Sequence, residues 1–337
     1  MSSLDSSSID QLYDTTSLPE NVQTFFHSVQ ESPDYRQNLD HIRVFAKHAL
    51  KQNQKVIVIT SGGTLVPIEK NMVRYLDNFS GGGRGASTAE WFLEHGYSVL
   101  FLSRKNSLQP FLRHLMTHDT NFFDYLTYDE KDKQAHISDK YQDQVSHLLG
   151  KWKHYIDSGR FVRIHFQSVG EYLYLLRAAC IELSIMKQNL IIYAAAAVSD
   201  FYIPLNEMSE HKIQSRNAGL TIDLQPVPKL LKHIVDSWCK DAFVVSFKLE
   251  TDINILDKKC LLSLESYKHH LVIGNLLSDY RNKVVLHSPL IGVGAEEKGP
   301  ITITRTQSQI DEMVDIEPMI CDRLLAMHNQ YITNSLK

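Results

Sequence analysis

The chain has 337 residues, 43% of them hydrophobic and 22% charged, with a formal net charge of −4. That balance gives ample length for a large core, excludes a broad basic nucleic-acid footprint, and argues against a strong electrostatic membrane partner. The four cysteines, Cys180, Cys239, Cys260 and Cys321, are scattered without C-x-x-C or paired-histidine spacing, so buried reduced thiols in a reducing, cytoplasmic compartment are expected.

Residues 1–20 are rich in Ser, Asp and Thr and are expected to be disordered, without a basic, apolar leader. From Asn21 to Gln52 the pattern predicts helix, with Phe25, Val29, Ile42, Val44, Phe45 and Leu50 as core positions. Val56 to Thr60 is a β-branched run of the kind found in buried parallel strands. It breaks on Ser61-Gly62-Gly63-Thr64, where a backbone without Cβ atoms can approach a ligand. A second glycine turn, Ser80-Gly81-Gly82-Gly83-Arg84-Gly85, opens the amphipathic segment Ala86 to His95, and Tyr97 to Ser103 reads as the next strand. Free N–H groups and the dipole at such a helix start favour a phosphate. Residues 65–79 separate the two turns, unlike the G-x-G-x-x-G dinucleotide fingerprint.

Residues 105–159 read as an insertion of surface helices and a mobile loop, nearly all polar from Tyr128 to Lys140. Arg160 to Gln167 is predicted as a strand, Val169 to Lys187 as a helix and Asn189 to Ala194 as a buried strand. That strand runs into Ala195-Ala196-Ala197-Val198-Ser199-Asp200, small residues followed by a carboxylate that needs a partner. Leu220 to Leu224 alternates like an edge strand, and Val227 to Trp238 is predicted helical with Pro228 in its first turn. Next come strand Ala242 to Phe247, helix Ile253 to Tyr267 and strand His270 to Ile273 closing on Gly274-Asn275. Val284 to His287 with Ile301 to Thr304 reads as an antiparallel hairpin, and Gln307 to Asn329 as a closing helix. Alternating strands and helices make an α/β fold with a doubly wound, mainly parallel sheet, a helical and loop insertion and a small β-hairpin. Polar signatures follow successive strands, where this architecture places its ligands.

The histidines show no metal-ligand spacing, so no protein metal site is expected. There is no G-x-S-x-G elbow and no Walker A sequence. Two enzyme classes survive: a Rossmann-type oxidoreductase, and a nucleotide-using ligase or transferase. The oxidoreductase lacks an acidic residue for the ribose, since Ser103-Arg104-Lys105 ends the second strand, and so would have to use NADP. A non-enzymatic nucleotide-binding subunit is a further alternative.

Four motifs carry a family resemblance. Ile59-Thr60-Ser61-Gly62-Gly63-Thr64 with Val66-Pro67-Ile68-Glu69, then Val73-Arg74-Tyr75-Leu76-Asp77-Asn78-Phe79-Ser80, Ala195 to Tyr202, and Ser246-Phe247-Lys248-Leu249-Glu250-Thr251-Asp252 resemble eukaryotic phosphopantothenoylcysteine synthetase, from about Val22 to Leu325. The resemblance implies a single α/β ligase domain over residues 21–330 with a dinucleotide-binding-like fold, acting as a homodimer in coenzyme A biosynthesis. It implies ligation of 4′-phosphopantothenate to L-cysteine through an acyl nucleotidylate, with ATP (or CTP) as co-substrate and Mg²⁺ accompanying it. Carried over by motif, Gly62, Ser80, Gly82 and Gly85 hold the triphosphate, and Phe247 and Asn275 lie near the nucleoside. Asn78, Ala196, Ala197 and Asp200 contact phosphopantothenate, with Arg74 reaching over from the other protomer. Asn78 and Lys212 are the implied catalytic residues. Two departures are visible: Lys212-Ile213-Gln214-Ser215 keeps only the first lysine of the bacterial K-x-K-K run, and Gly81-Gly82-Gly83 replaces the usual Ser-Gly turn.

Overall fold

The computed structural model describes residues 14–116, 121–215, 219–290 and 299–335. The first thirteen residues of the segment expected to be disordered lie outside these. Residues 14–19 are placed, with Leu18 packed on the core and the Asp14 carbonyl accepting from Arg177 at 2.9 Å.

The α/β, mainly parallel sheet expected from the sequence is present as eight strands in the order β14-β13-β12-β11-β8-β1-β4-β7. The parallel strands are β1 (Val56–Ser61), β4 (Ser98–Arg104), β7 (Phe161–Phe166), β8 (Leu190–Ala194), β11 (Phe243–Glu250) and β12 (Leu271–Leu276). From β1 the chain winds outward through β4 to β7, then returns and winds the other way through β8 and β11 to β12. This is the strand order of doubly wound dinucleotide-binding sheets, and it puts the topological switch between β1 and β8. The hairpin β13 (Lys283–His287) and β14 (Ile301–Thr304) closes one edge antiparallel. Two buried clusters cover the faces of the sheet: Val56, Val58 and Ile192 point into one, Ile57, Ile59 and Tyr193 into the other. With apolar side chains on both faces, β1 and β8 have no polar alternation to show.

Several elements differ from their sequence patterns. The N-terminal helical stretch is two helices, α1 (Glu20–Ser28) and α2 (Tyr35–Lys51). In α2, Leu39, Ile42, Phe45, Ala46 and Ala49 form the buried stripe, which leaves Val44 at 67% and Leu50 at 52% exposure on the solvent side, against the expectation that they were core. The glycine-turn helix α3 (Gly83–Glu94) begins earlier than expected. Part of the expected insertion belongs to the winding itself: α4 (Gln142–Asp157) carries buried Tyr155 and crosses from β4 to β7. Within it, β5 (Leu126–Asp129) and β6 (Gln134–Ile137) form a hairpin where a loop was expected. Both of its faces meet water, so no alternation marks it.

After β7, α5 (Val169–Leu183) is shorter than predicted and passes into a 3₁₀ segment at Ser184–Asn189. Residues 220–224 form no strand. Ile222 and Leu224 pack against the core, so their alternation reports burial without pairing, and only β10 (Gln225–Pro226) pairs, with β9 (Phe201–Tyr202). The next helix starts at Leu231, not near Pro228: α6 (Leu231–His233) runs into a π turn, Ile234–Trp238. α7 (Ile253–Tyr267) matches its prediction. The closing helix is two, α8 (Gln307–Asp311) and α9 (Glu317–Ser335), because Pro318 fits a helix start but not an interior.

Candidate functional site

The C-terminal ends of β1 and β8 meet at the switch point. Thr64 N–H donates to Ala197 O at 3.0 Å and Ala197 N–H to Gly62 O at 2.9 Å, which continues the strand pairing through the glycine turn. Two buried threonines hold this seam: Thr60 Oγ1 accepts from Ala196 N–H at 3.1 Å, and Thr64 Oγ1 from Ser199 N–H at 2.9 Å. Gly62 has φ +84°, a left-handed backbone that suits glycine. A Cβ on Gly63 would lie 2.8 Å from the Asn78 carbonyl carbon and 3.2 Å from Ser80 N. Glycine at 63 is therefore what lets the Asn78–Ser80 chain lie against the turn. Asn78 N–H closes the contact on Thr64 O at 3.2 Å.

The second turn packs onto the first. Gly82, at φ +81°, caps α3, and no side chain caps that end. Ala86 N–H is bonded back to Gly82 O at 3.0 Å, leaving the N–H groups of Gly83, Arg84 and Gly85 at an open helix start. Ser61 Oγ donates to Gly82 O at 3.0 Å, and a Cβ on Gly85 would sit 2.5 Å from Ser61 Cβ. Ser107 walls both turns, 3.2 Å from a Cβ built on Gly62 and 3.1 Å from one built on Gly82. Gly62, Gly82, Gly85, Asn78, Ser80, Ala196 and Ala197 thus form one edge, rich in backbone N–H groups beside a helix dipole.

Phe247 and Asn275 stand on the next strands of the sheet. The Phe247 ring meets Tyr193 edge-on at 5.1 Å, and the Arg84 guanidinium lies 5.4 Å from its centre. Arg84 also pairs with Glu317 at 3.2 Å and donates to Tyr280 O at 2.8 Å, tying the start of α3 to the start of α9 and to the loop before β13. Asn275, near the C-terminal end of β12, is 6% exposed. A buried amide at a sheet edge is suited to a ligand's polar atoms. On β11, Ser246 Oγ lies 2.7 Å from His269 Nε2, and burial pushes that imidazole down to about 4, so it is a neutral packing partner.

Asp200, Arg74 and Lys212 occupy the flank. Asp200 forms an ion pair with Lys229, and its carbonyl accepts from Val227 N–H at 2.9 Å. Lys229 went unnoticed in the sequence because Pro228-Lys229 fits a helix start. Arg74 lies on the arm between β2 (Leu65–Pro67) and β3 (Tyr75–Asp77), where its Nε donates to the buried Glu69 at 2.9 Å. Burial would raise the Glu69 carboxyl, but hydrogen bonds from the Arg74 side chain and backbone and from Ile213 N–H outweigh it and hold it below the usual range. Lys212 is exposed beside Ile213. No hydrogen bond or ion pair joins Arg74 or Lys212 to the glycine turns among the described residues. Arg104, one of the two basic residues at the end of the second strand, makes a two-pronged contact with Asp77 at 2.6 and 3.1 Å. Its charge is matched by Asp77, which counts against its holding a 2′-phosphate.

Among the described residues no group of three or more His, Cys, Asp or Glu side chains is placed to hold a metal ion, and no helix is long and apolar enough to cross a membrane. All four cysteines are buried and free.

Comparison with known proteins gives a consistent set of relatives. The profile of the DNA/pantothenate metabolism flavoprotein C-terminal domain matches residues 174–288. Phosphopantothenate–cysteine ligase CAB2 of Saccharomyces cerevisiae is 37% identical over 312 residues, covering 86% of this chain and 80% of the yeast protein. The Homo sapiens phosphopantothenate–cysteine ligase is 37% identical over 292 residues, covering 86% of this chain and 91% of the human one. A solved structure of a Cab2 variant in complex with phosphopantothenate-cysteine superposes with a TM-score of 0.83 at 34% identity, over 94% of this chain and 100% of that one. With this identity carried over most of both chains, on a sheet whose glycine turns meet at the switch point, the chain belongs to the phosphopantothenate–cysteine ligase family.

Proposed function

We propose that this protein joins 4′-phosphopantothenate to L-cysteine at the expense of a nucleoside triphosphate, the C–N bond-forming step of its family in coenzyme A biosynthesis. The observation that carries the reading is the pair of glycine turns locked together at the switch point by Ser61, Gly63 and Gly85, with the open start of α3 between them. Backbone N–H groups there suit the phosphates of the nucleotide, and Gly62, Ser80, Gly82 and Gly85 are assigned to them. Phe247 and Asn275 are assigned to the nucleoside. ATP is the nucleotide implied by Lys212-Ile213-Gln214-Ser215, which follows the eukaryotic version of that loop.

A carboxylate is a poor electrophile, so the reaction runs in two displacements. The phosphopantothenate carboxylate attacks the α-phosphorus and pyrophosphate leaves, giving an acyl adenylate. The cysteine amine then attacks the acyl carbon, loses a proton and expels AMP. Asn78, held against the glycine turn through its backbone, donates its amide to the acyl oxygen as charge gathers there. Ala196 and Ala197 let the substrate lie along the β8 end, and Asp200, oriented by Lys229, accepts from it. Lys212 offsets charge during attack at the α-phosphorus. Bound with the triphosphate, Mg²⁺ would neutralise part of its charge.

Arg74 is assigned to the phosphate of the substrate bound by the other protomer of a homodimer. Its arm supports this: Val73, Tyr75 and Phe79 around it are exposed, Phe79 at 87%. A reducing cytoplasm suits four buried thiols. Pyrophosphate release that requires phosphopantothenate, and product formation that requires cysteine as well, is the expected result for purified protein. Hydride transfer from a nicotinamide, or nucleotide binding without turnover, would replace the ligase reading with the oxidoreductase or the regulatory subunit.

A further inference from the structure

Glu69 follows β2 and is fully buried, yet the steps above give it no task. It accepts from Arg74 Nε at 2.9 Å, from Arg74 Nη2 at a shorter distance, from Arg74 N–H at 3.1 Å and from Ile213 N–H at 3.3 Å. Arg74 Nη2 also donates to Ile213 O at 2.7 Å. The main chain repeats the link: Lys70 N–H donates to Ser209 O at 3.0 Å, and Asn71 Nδ2 to Glu210 O at 2.7 Å. One buried carboxylate therefore joins the arm that carries Arg74 to the loop that carries Lys212.

The geometry of the guanidinium sharpens the consequence. Its Nε and Nη2 edge is committed to Glu69 and Ile213, whereas Nη1 has no partner among the described residues and the side chain is 39% exposed. An arginine presents five donors in a fixed plane, so anchoring one edge aims the other. A buried carboxylate stripped of these donors would be costly, which makes the anchorage tight.

We propose that Glu69 is a positioning residue for the ligase: it aims the Nη1 edge of Arg74 at a phosphate monoester and holds the Lys212 loop in register with the arm. The inference rests on the ligase reading and on the assignments of Arg74 and Lys212. It separates two readouts. Glu69→Gln keeps the shape but loses the charge, and should raise the KM for phosphopantothenate about tenfold and slow single-turnover adenylate formation about tenfold, leaving the KM for ATP within about twofold. Glu69→Asp, which keeps the charge, should recover part of each loss. In an Arg74→Ala background Glu69→Gln should add no further KM change, and in a Lys212→Ala background no further slowing.

Equal increases in every KM, unaltered kinetics in Glu69→Gln, or full additivity in both backgrounds would overturn the role of Glu69 while leaving the site assignment intact. If Glu69→Gln does not fold, Glu69→Asp is measured in the same two backgrounds, and full additivity there has the same force. Arg74→Ala and Lys212→Ala parents with wild-type kinetics would instead overturn the site assignment, and this inference with it.

Discussion

Replacing Gly85 with alanine adds one methyl group where β1 and α3 touch, and the outcome follows from a single distance. The new Cβ would lie 2.5 Å from Ser61 Cβ, whereas ordinary contacts begin near 3.4 Å. Ser61 ends a strand that is buried throughout, so it cannot swing away. The helix start must retreat instead, by about 1 Å, and a misplacement of that size in a positioned group costs about a hundredfold in rate. Such a loss in kcat/KM for the nucleotide corresponds to about 2.7 kcal/mol of transition-state stabilisation. Overpacking should add about 1–3 kcal/mol of lost stability. Initial rates of pyrophosphate release at varied ATP, with a urea titration of the same protein, measure both. Ser61→Gly in the same chain removes the clash at the cost of the Ser61–Gly82 hydrogen bond and should restore much of the nucleotide KM. A Gly85→Ala protein with wild-type nucleotide KM would refute the reasoning that this contact sets the phosphate cradle.

Other outcomes follow from the same geometry. Asn78→Asp exchanges an amide donor for a negative charge beside the acyl phosphate and should cut turnover by about a hundredfold or more in a folded protein; near-normal turnover would contradict the oxyanion role. Arg74→Ala should weaken phosphopantothenate binding and spare ATP binding, and dimers mixed with Asn78→Asp should regain activity at sites receiving both intact residues; no recovery after confirmed subunit exchange would oppose a shared site. His269 and His328 are buried and His270 is half-buried, and desolvation pushes all three imidazoles down to about 4, below their unfolded value. The unfolded chain binds more protons between about pH 6.5 and 4, so stability should be full above that window and fall as pH drops through it. A loss of about 1–2 kcal/mol per histidine between pH 7 and 5, before carboxylates titrate, would appear in urea midpoints; pH-independent midpoints would contradict it.

The fold was legible where burial and periodicity agree. β1, β8 and β11 are apolar on both faces, and α7 and the β13–β14 hairpin match their patterns in extent. It was not legible where one signal has two causes. Val44 and Leu50 are apolar but lie off the buried stripe of α2, and Ile222 and Leu224 alternate because they pack, with no strand beside them to pair. The β5–β6 hairpin is wet on both sides and carries no pattern at all.

At the site, glycines were readable because few residues tolerate such turns. Their partners were not: the need for glycine at 85 comes from Ser61, twenty-four positions away, and the need at 63 from the Asn78 main chain. Glu69 and Lys229 were hidden for a related reason. A carboxylate five residues before an arginine and a lysine after a proline are ordinary surface sequences, and only the folded chain brings them to Ile213 and Asp200.

Whether the nucleotide activates the carboxylate by nucleotidyl transfer is decided by where an isotope in the carboxylate ends. Phosphopantothenate labelled with ¹⁸O in its carboxylate is turned over with ATP and cysteine, and the phosphorus products are analysed by mass. Nucleotidyl transfer leaves one labelled oxygen in AMP, unlabelled pyrophosphate and no labelled orthophosphate. Label in orthophosphate, with ADP as the co-product, would mean an acyl phosphate and would contradict it.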